Sequence, residues 1–182
     1  MKRVALVVSL ALAVVPAVAS AQIGFGAAAG ASLPLGDFGK AANTGYHAQV
    51  SVDVGVPLSP IGFRFDGTLD HFDASGSTST SSSSARIAGG AANVLMGFGA
   101  VPLLGPYLIG GVGYYQLHSE GTFGGQPFST SQSEPGGSIG AGIRFGLGGF
   151  GVFAETGYHF IKSTGSGASA TTFVPVMFGV SF

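Results

Sequence analysis

The residue types best suited to chemistry in this 182-residue chain are four histidines and a few serines and carboxylates. His118, Ser119 and Glu120 are consecutive, and His71 and Ser163 are the other candidates for a hydrolytic Ser–His–carboxylate set. Such a set needs its base within about 3 Å of the nucleophile and a third group orienting the base. Neighbours on a strand point to opposite faces, so His118 and Ser119 diverge, while His71 falls two strands from Ser119. The expectation is a chain that is not an enzyme. Parity also sends His47, His118 and His159 inward, near the outer ends of strands 2, 5 and 7. Three imidazoles around one mouth could hold a metal or titrate near neutrality. Those strands are not adjacent, so neither a metal site nor a cofactor is expected.

The charged residues make a more specific pattern. If positions 56 and 61 flank a turn as a pair, antiparallel register sets the sum of paired positions at 117 and puts inward Asp53 opposite inward Arg64. A hairpin pairing Leu147 with Phe150 sets the sum at 297 and leaves inward Arg144 and Glu155 as diagonal neighbours. Two internal ion pairs are expected, Asp53 with Arg64 and Arg144 with Glu155, joined across the interior through Asp66. The glycine clusters at 110–113 and 140–142 have no following helix to cradle a phosphate, so they read as sites of close packing. Residues 75–84 are nearly all Ser and Thr, with no aromatic and no charge, and read as a solvated loop tip.

The elements that position these residues follow from alternation. Tyr46, Ala48, Val50, Val52, Val54 and Val56 alternate with His47, Gln49, Ser51, Asp53 and Gly55. The same period recurs with Ile61, Phe63 and Phe65, then with Ala88, Ala92, Val94, Met96 and Phe98. It continues in Tyr107, Ile109, Tyr115 and Leu117, and in Ile139, Ala141, Ile143 and Phe145. Phe150, Val152, Ala154, Tyr158 and Phe160 follow, then Val174, Val176, Phe178, Val180 and Phe182. With Ile23, Phe25, Ala27 and Ala29 at the start, these make eight strands of about ten residues each, the length a tilted membrane strand needs.

Only 8% of residues are charged and 33 are Gly, which would leave a water-soluble domain with too much bare apolar surface. No apolar run after the first twenty residues is long enough for a membrane helix. A chain that is lipophilic but never continuously so must cross with strands, and strands in lipid must close into a barrel to satisfy every backbone group. Lys2 and Arg3, the apolar run from Val4 to Val18 and the A-x-A pattern Ala19-Ser20-Ala21 form a secretory signal peptide over 1–21, leaving a barrel domain over 22–182. With Lys2 and Arg3 set aside, five of the 7 basic residues remain against 8 acidic ones, which excludes the basic surface that nucleic acid requires. There is no cysteine, hence no disulfide framework and no thiolate chemistry.

Long polar connections at 33–44, 73–85, 119–137 and 163–171 alternate with shorter ones at 57–60, 99–106 and 148–149. This places both termini in the periplasm and four loops outside the cell. Aromatics fall into two girdles, Phe63, Phe98, Tyr107, Phe145, Phe150 and Phe182 at one end and Tyr46, Tyr115, Tyr158 and Phe160 at the other.

The eight-strand plan, the segment from Pro106 to Tyr115 and the terminal segment from Val174 to Phe182 resemble the small outer-membrane β-barrels of the OmpA, OmpX and OmpW type. The resemblance implies an all-β, eight-stranded antiparallel up-and-down barrel in the outer membrane of a Gram-negative (diderm) bacterium. It implies contact with outer-membrane lipid and lipopolysaccharide. It also implies that the barrel-assembly machinery reads a terminal signal, here Phe178, Val180 and Phe182. The expected role is structural or in surface interaction, with an external ligand held by the loops and a lumen filled by side chains. A conduit for small hydrophobic molecules, as in the OmpW type, is the alternative. It needs an apolar cavity under the outer mouth, and Leu108, Tyr114 and Phe153 are the inward residues expected to line it. A lipid A-modifying enzyme is a third reading.

Overall fold

In a computed structural model the chain forms one closed antiparallel barrel of eight strands, each paired with its neighbours in sequence and the last with the first. Residues 22–76, 82–98, 104–147, 149–163 and 169–182 are described, so the leader expected over 1–21 lies outside them. The strands are β1 (Gln22–Leu35), β2 (Gly45–Gly55), β3 (Ile61–Asp73), β4 (Ser82–Gly97), β5 (Leu104–Phe123), β6 (Gln126–Leu147), β7 (Phe150–Ile161) and β8 (Thr171–Ser181). A short helix, α1 (Gly36–Ala41), stands in the first long connection, where only a loop was expected. Lys40 lies 2.8 Å from Asp37, and with Ser169 it holds the Asp37 carboxyl below the usual range.

Local turns set the register. The pairs Asp53↔Arg64 and Leu147↔Phe150 both form, so the two hairpin sums expected from the sequence are those observed. Gly149 takes φ 91 in the second turn, while Gly148 lies outside the described residues. Followed from Gly26 through β2 to β6, the hydrogen-bonded row meets β7 at Ile161, whereas through β8 it meets β7 at Gly151. That stagger of ten residues is the shear of the barrel, and it tilts the strands against the barrel axis.

Two strands depart from the expected plan. β5 and β6 run 20 and 22 residues, and the connection expected over 119–137 is a β-ribbon closed by Gly124 and Gly125 at φ 58 and 81. Its Ser, Thr and Gly residues read as loop because neither face alternates, but backbone pairing needs no apolar face.

β5 also turns its other side to the lumen. Tyr107, Ile109 and Tyr115 are buried inside, whereas Leu108, Val112 and Tyr114 face outward. Tyr107 and Tyr115 therefore leave the girdles, and Tyr114 takes the outer position. The lumen accepts such rings because glycines face them. A Cβ on Gly142 would lie 2.5 Å from the Tyr107 hydroxyl, and one on Gly89 would enter the Tyr115 ring.

Outside, the surface is apolar. Val112, Phe178 and Ile139 are 72%, 70% and 69% exposed, and Phe25 and Phe65 stand with them in a continuous belt. An apolar surface of this extent is stable only against lipid. No described helix is long and apolar enough to cross a membrane.

Candidate functional site

Because alternate residues of each strand point inward, the lumen collects almost all of the polar chemistry and stacks it in layers. Nearest the chain termini lies an ionic layer. Arg64, fully buried, donates from Nε to Asp53 Oδ1 at 2.7 Å and from Nη1 to Glu155 Oε2 at 2.7 Å. The Tyr107 hydroxyl donates to the same Glu155 oxygen at 2.5 Å, and Arg144 Nη2 donates to Asp53 Oδ2 at 2.9 Å. The Arg64 guanidinium also lies 5.6 Å from the Tyr107 ring centroid and 5.5 Å from that of Phe153, within cation–π range.

All five charged residues expected in the lumen point inward and Asp53 pairs with Arg64 as expected, but the second expected pair, Arg144 with Glu155, does not form. Arg144 pairs with Asp53 rather than with its diagonal neighbour Glu155, and Glu155 is held by Arg64 from across the barrel. Asp66 does not join these groups. It accepts instead from Gln49 Nε2 at 3.2 Å and Asn93 Nδ2 at 2.7 Å, forming a second layer. Closure of the sheet brings together arginine and carboxylate 91 residues apart, and no local turn predicts that contact.

The third layer is Asp70, which accepts from the Ser32 hydroxyl at 2.5 Å and lies 2.8 Å from His47 Nδ1. His47 is thus a buried partner of a carboxylate rather than a group at a wet mouth. His159 is inward too, with its ring stacked on Phe173 at 5.1 Å. His118 is not. It faces outward because β5 has the opposite parity, so the three-histidine mouth does not form. Among the described residues no group of three or more His, Cys, Asp or Glu could hold a metal ion.

The loop end of the lumen is closed by packed apolar side chains. Phe72, Phe173, Ile87 and Ile161 are almost wholly buried, Tyr115 joins them, and Phe38 of α1 sits edge-on to Phe72 at 4.9 Å. The apolar cavity that a hydrophobic conduit needs at this place is filled. Of its expected lining, only Phe153 is inward, and Leu108 and Tyr114 lie on the lipid face. Open space is found at the opposite end, where a vestibule of about 890 Å³ reaches inward to Asp53, Tyr107 and Arg144. Between the layers a cavity of about 20 Å³ bordered by Asp66, Asn93, Ser138 and His159 has room for one water.

Outside the barrel, one contact was not foreseen. His118 Nδ1 is 2.7 Å from Ser131 Oγ, and its Nε2 is 3.5 Å from Glu120 Oε2. Ser119, the serine expected from the sequence, is on the other face. Ser131 escaped notice because its segment read as loop.

A closed eight-stranded barrel with an apolar outer belt, aromatic borders and a polar, ion-paired lumen is a transmembrane β-barrel of the outer-membrane type. Solved structures carry the same fold. Neisserial surface protein A is similar with a TM-score of 0.63 at 16% identity, covering 89% of this chain and 97% of that one. A major outer membrane protein from Thermus thermophilus gives 0.64 at 14% identity, covering 90% and 98%. Ail, the attachment invasion locus protein of Yersinia pestis, solved in complex with the heparin analogue sucrose octasulfate, gives 0.60 at 14% identity, covering 89% and 99%. No family model matches the sequence, and no curated protein matches it.

Proposed function

We propose that this chain is a closed, non-enzymatic barrel of the outer membrane that presents polypeptide to the cell exterior as a binding surface. Its termini are periplasmic and its four long connections are external. The observation that carries this reading is the uneven height of the wall. β6 leaves β7 at Gly136↔Ile161, yet from Gln126 to Pro135 it continues paired with β5, and β4 accompanies β5 up to Ser82↔Thr122. A ribbon raised clear of the apolar belt has no role in crossing the membrane. Over Gln126 to Ser133 no described strand pairs with β6 on its β7 side, so this edge is available to an incoming chain.

The lumen supports the non-transporting half of the proposal. Among the described residues, an apolar cap at one end and an ion-paired layer toward the other leave no continuous route. The His118, Ser131 and Glu120 cluster favours no enzyme, since His118 and Glu120 are 36% and 56% exposed and the cavities described lie within the barrel.

Planar-bilayer conductance, paired with protease treatment of intact cells and a lipid A profile of an overexpressing strain, tests the reading. Expected are no stepwise conductance, cleavage within 73–85 from outside and an unchanged lipid profile. Discrete channel steps or altered lipid A would overturn the function, and external cleavage at 57–60 would invert the orientation.

A further inference from the structure

We propose that the outward wall of β2 to β5 carries a docking site for the phosphate headgroup of an acylated membrane lipid, centred on Arg86 where the apolar belt ends. The proposal rests on the membrane reading above and adds a specific lipid contact to it.

Register places Tyr46, His71, Arg86, His118 and Ser131 side by side in one hydrogen-bonded row across five adjacent strands. All five face outward. Strands stand about 4.8 Å apart, so Arg86 has an imidazole on each side at about that spacing. On β3 the outward residues Ile61, Phe63, Phe65, Gly67 and Leu69 precede His71, and on β4 Met96, Val94, Ala92, Gly90 and Ala88 precede Arg86. On β3 and β4, His71 and Arg86 are thus the first polar groups that a lipid lying on this wall meets, and on β5 the outward Gln116 lies one position nearer the belt, beside Ala88. Tyr46 stacks on His71 at 5.0 Å and continues the border onto β2.

Charge favours an anion here. Among the described residues Arg86 is the one outward arginine, and it makes no ion pair, whereas Arg64 and Arg144 are engaged in the lumen. The nearby acids lie on the far side from the belt. Asp73 is 3.4 Å from His71 Nε2, and Glu120 is 3.5 Å from His118 Nε2, each one outward position further along its strand. A phosphate approaching from the bilayer therefore meets the guanidinium before either carboxylate, and a guanidinium fork matches phosphate oxygens in pairs.

The wall below Arg86 suits an acyl chain. Gly67 and Gly90 are paired neighbours lying between Val50 and Tyr114, which leaves a trough two strands wide. Packing does not require glycine there. A Cβ on Gly90 would meet nothing nearer than Asp66 O at 3.8 Å, and one on Gly67 only Val50 Cγ2 at 3.4 Å.

The test uses the barrel in phosphatidylcholine nanodiscs, with retention of diphosphorylated lipid A compared against dephosphorylated lipid A by native mass spectrometry. Heat-modifiable mobility first shows that each variant is a folded barrel, so a failure of the membrane reading is seen separately. The wild type should retain the phosphorylated lipid preferentially. Arg86→Gln should lose about tenfold in affinity, the change one charge-assisted contact carries. Gly90→Leu should weaken retention by filling the trough, and Lys40→Gln on α1 should change nothing. Should Arg86→Gln not fold, Arg86→Lys and His118→Gln serve, with smaller losses expected. Equal retention of both lipids, no loss in the Arg86 variants, or displacement by equimolar inorganic phosphate would overturn the proposal.

Discussion

Replacing Arg64 by methionine removes the one cation that both Asp53 and Glu155 share, and the structure says how the cost divides. Asp53 keeps Arg144 at 2.9 Å and a 15% exposed side chain near the vestibule, so much of its charge stays compensated. Glu155 is 6% exposed and is left with only the Tyr107 hydroxyl. Stranding one buried carboxylate in this way costs about 3–5 kcal/mol. Arg144→Ala should cost less, about 1 kcal/mol, because its side chain is 34% exposed and Asp53 retains Arg64. Lys162→Ala, at the exposed end of β7, should be close to neutral. Adding Glu155→Gln to Arg64→Met removes the stranded charge and should recover at least about 2 kcal/mol, a coupling that a double-mutant cycle reads directly. The assay is denaturant unfolding of the refolded barrel in lipid vesicles, followed by far-UV circular dichroism, since the chain has no tryptophan. If Arg64→Met shifts the midpoint no more than Lys162→Ala, or the double variant is no more stable than the single, the ionic layer is not what holds the lumen.

Two further outcomes are expected. Gly89→Ala should destabilise by about 1–3 kcal/mol, because its Cβ would enter the Tyr115 ring, while Gly90→Ala next to it should stay within about 0.5 kcal/mol of wild type; equal effects would refute the inward parity of odd β4 residues. Deleting Phe182, the outward terminal residue after Phe178 and Val180, should lower outer-membrane insertion in cell fractionation, and undiminished heat-modifiable barrel there would exclude it as an assembly signal.

The alternation of β2, β3 and β7 told the lipid face from the lumen face because one side of each is apolar and the other carries its polar and charged residues. Short turns fixed the pairing sums of two hairpins, since a tight loop leaves the register no freedom. β5 defeated the same reasoning. Tyr107, Ile109 and Tyr115 on one side and Leu108, Val112 and Tyr114 on the other are equally apolar, and only the opposing glycines Gly89, Gly136 and Gly142 show which rings have room inside. Those glycines come from neighbouring strands, so the choice is made by the assembled sheet. Likewise the sequence supplied Asp53, Arg64, Arg144 and Glu155 as inward charges. Which cation meets which carboxylate was decided by closure, because the two decisive contacts span the lumen between residues 91 apart and depend on the shear of the barrel rather than on any local turn.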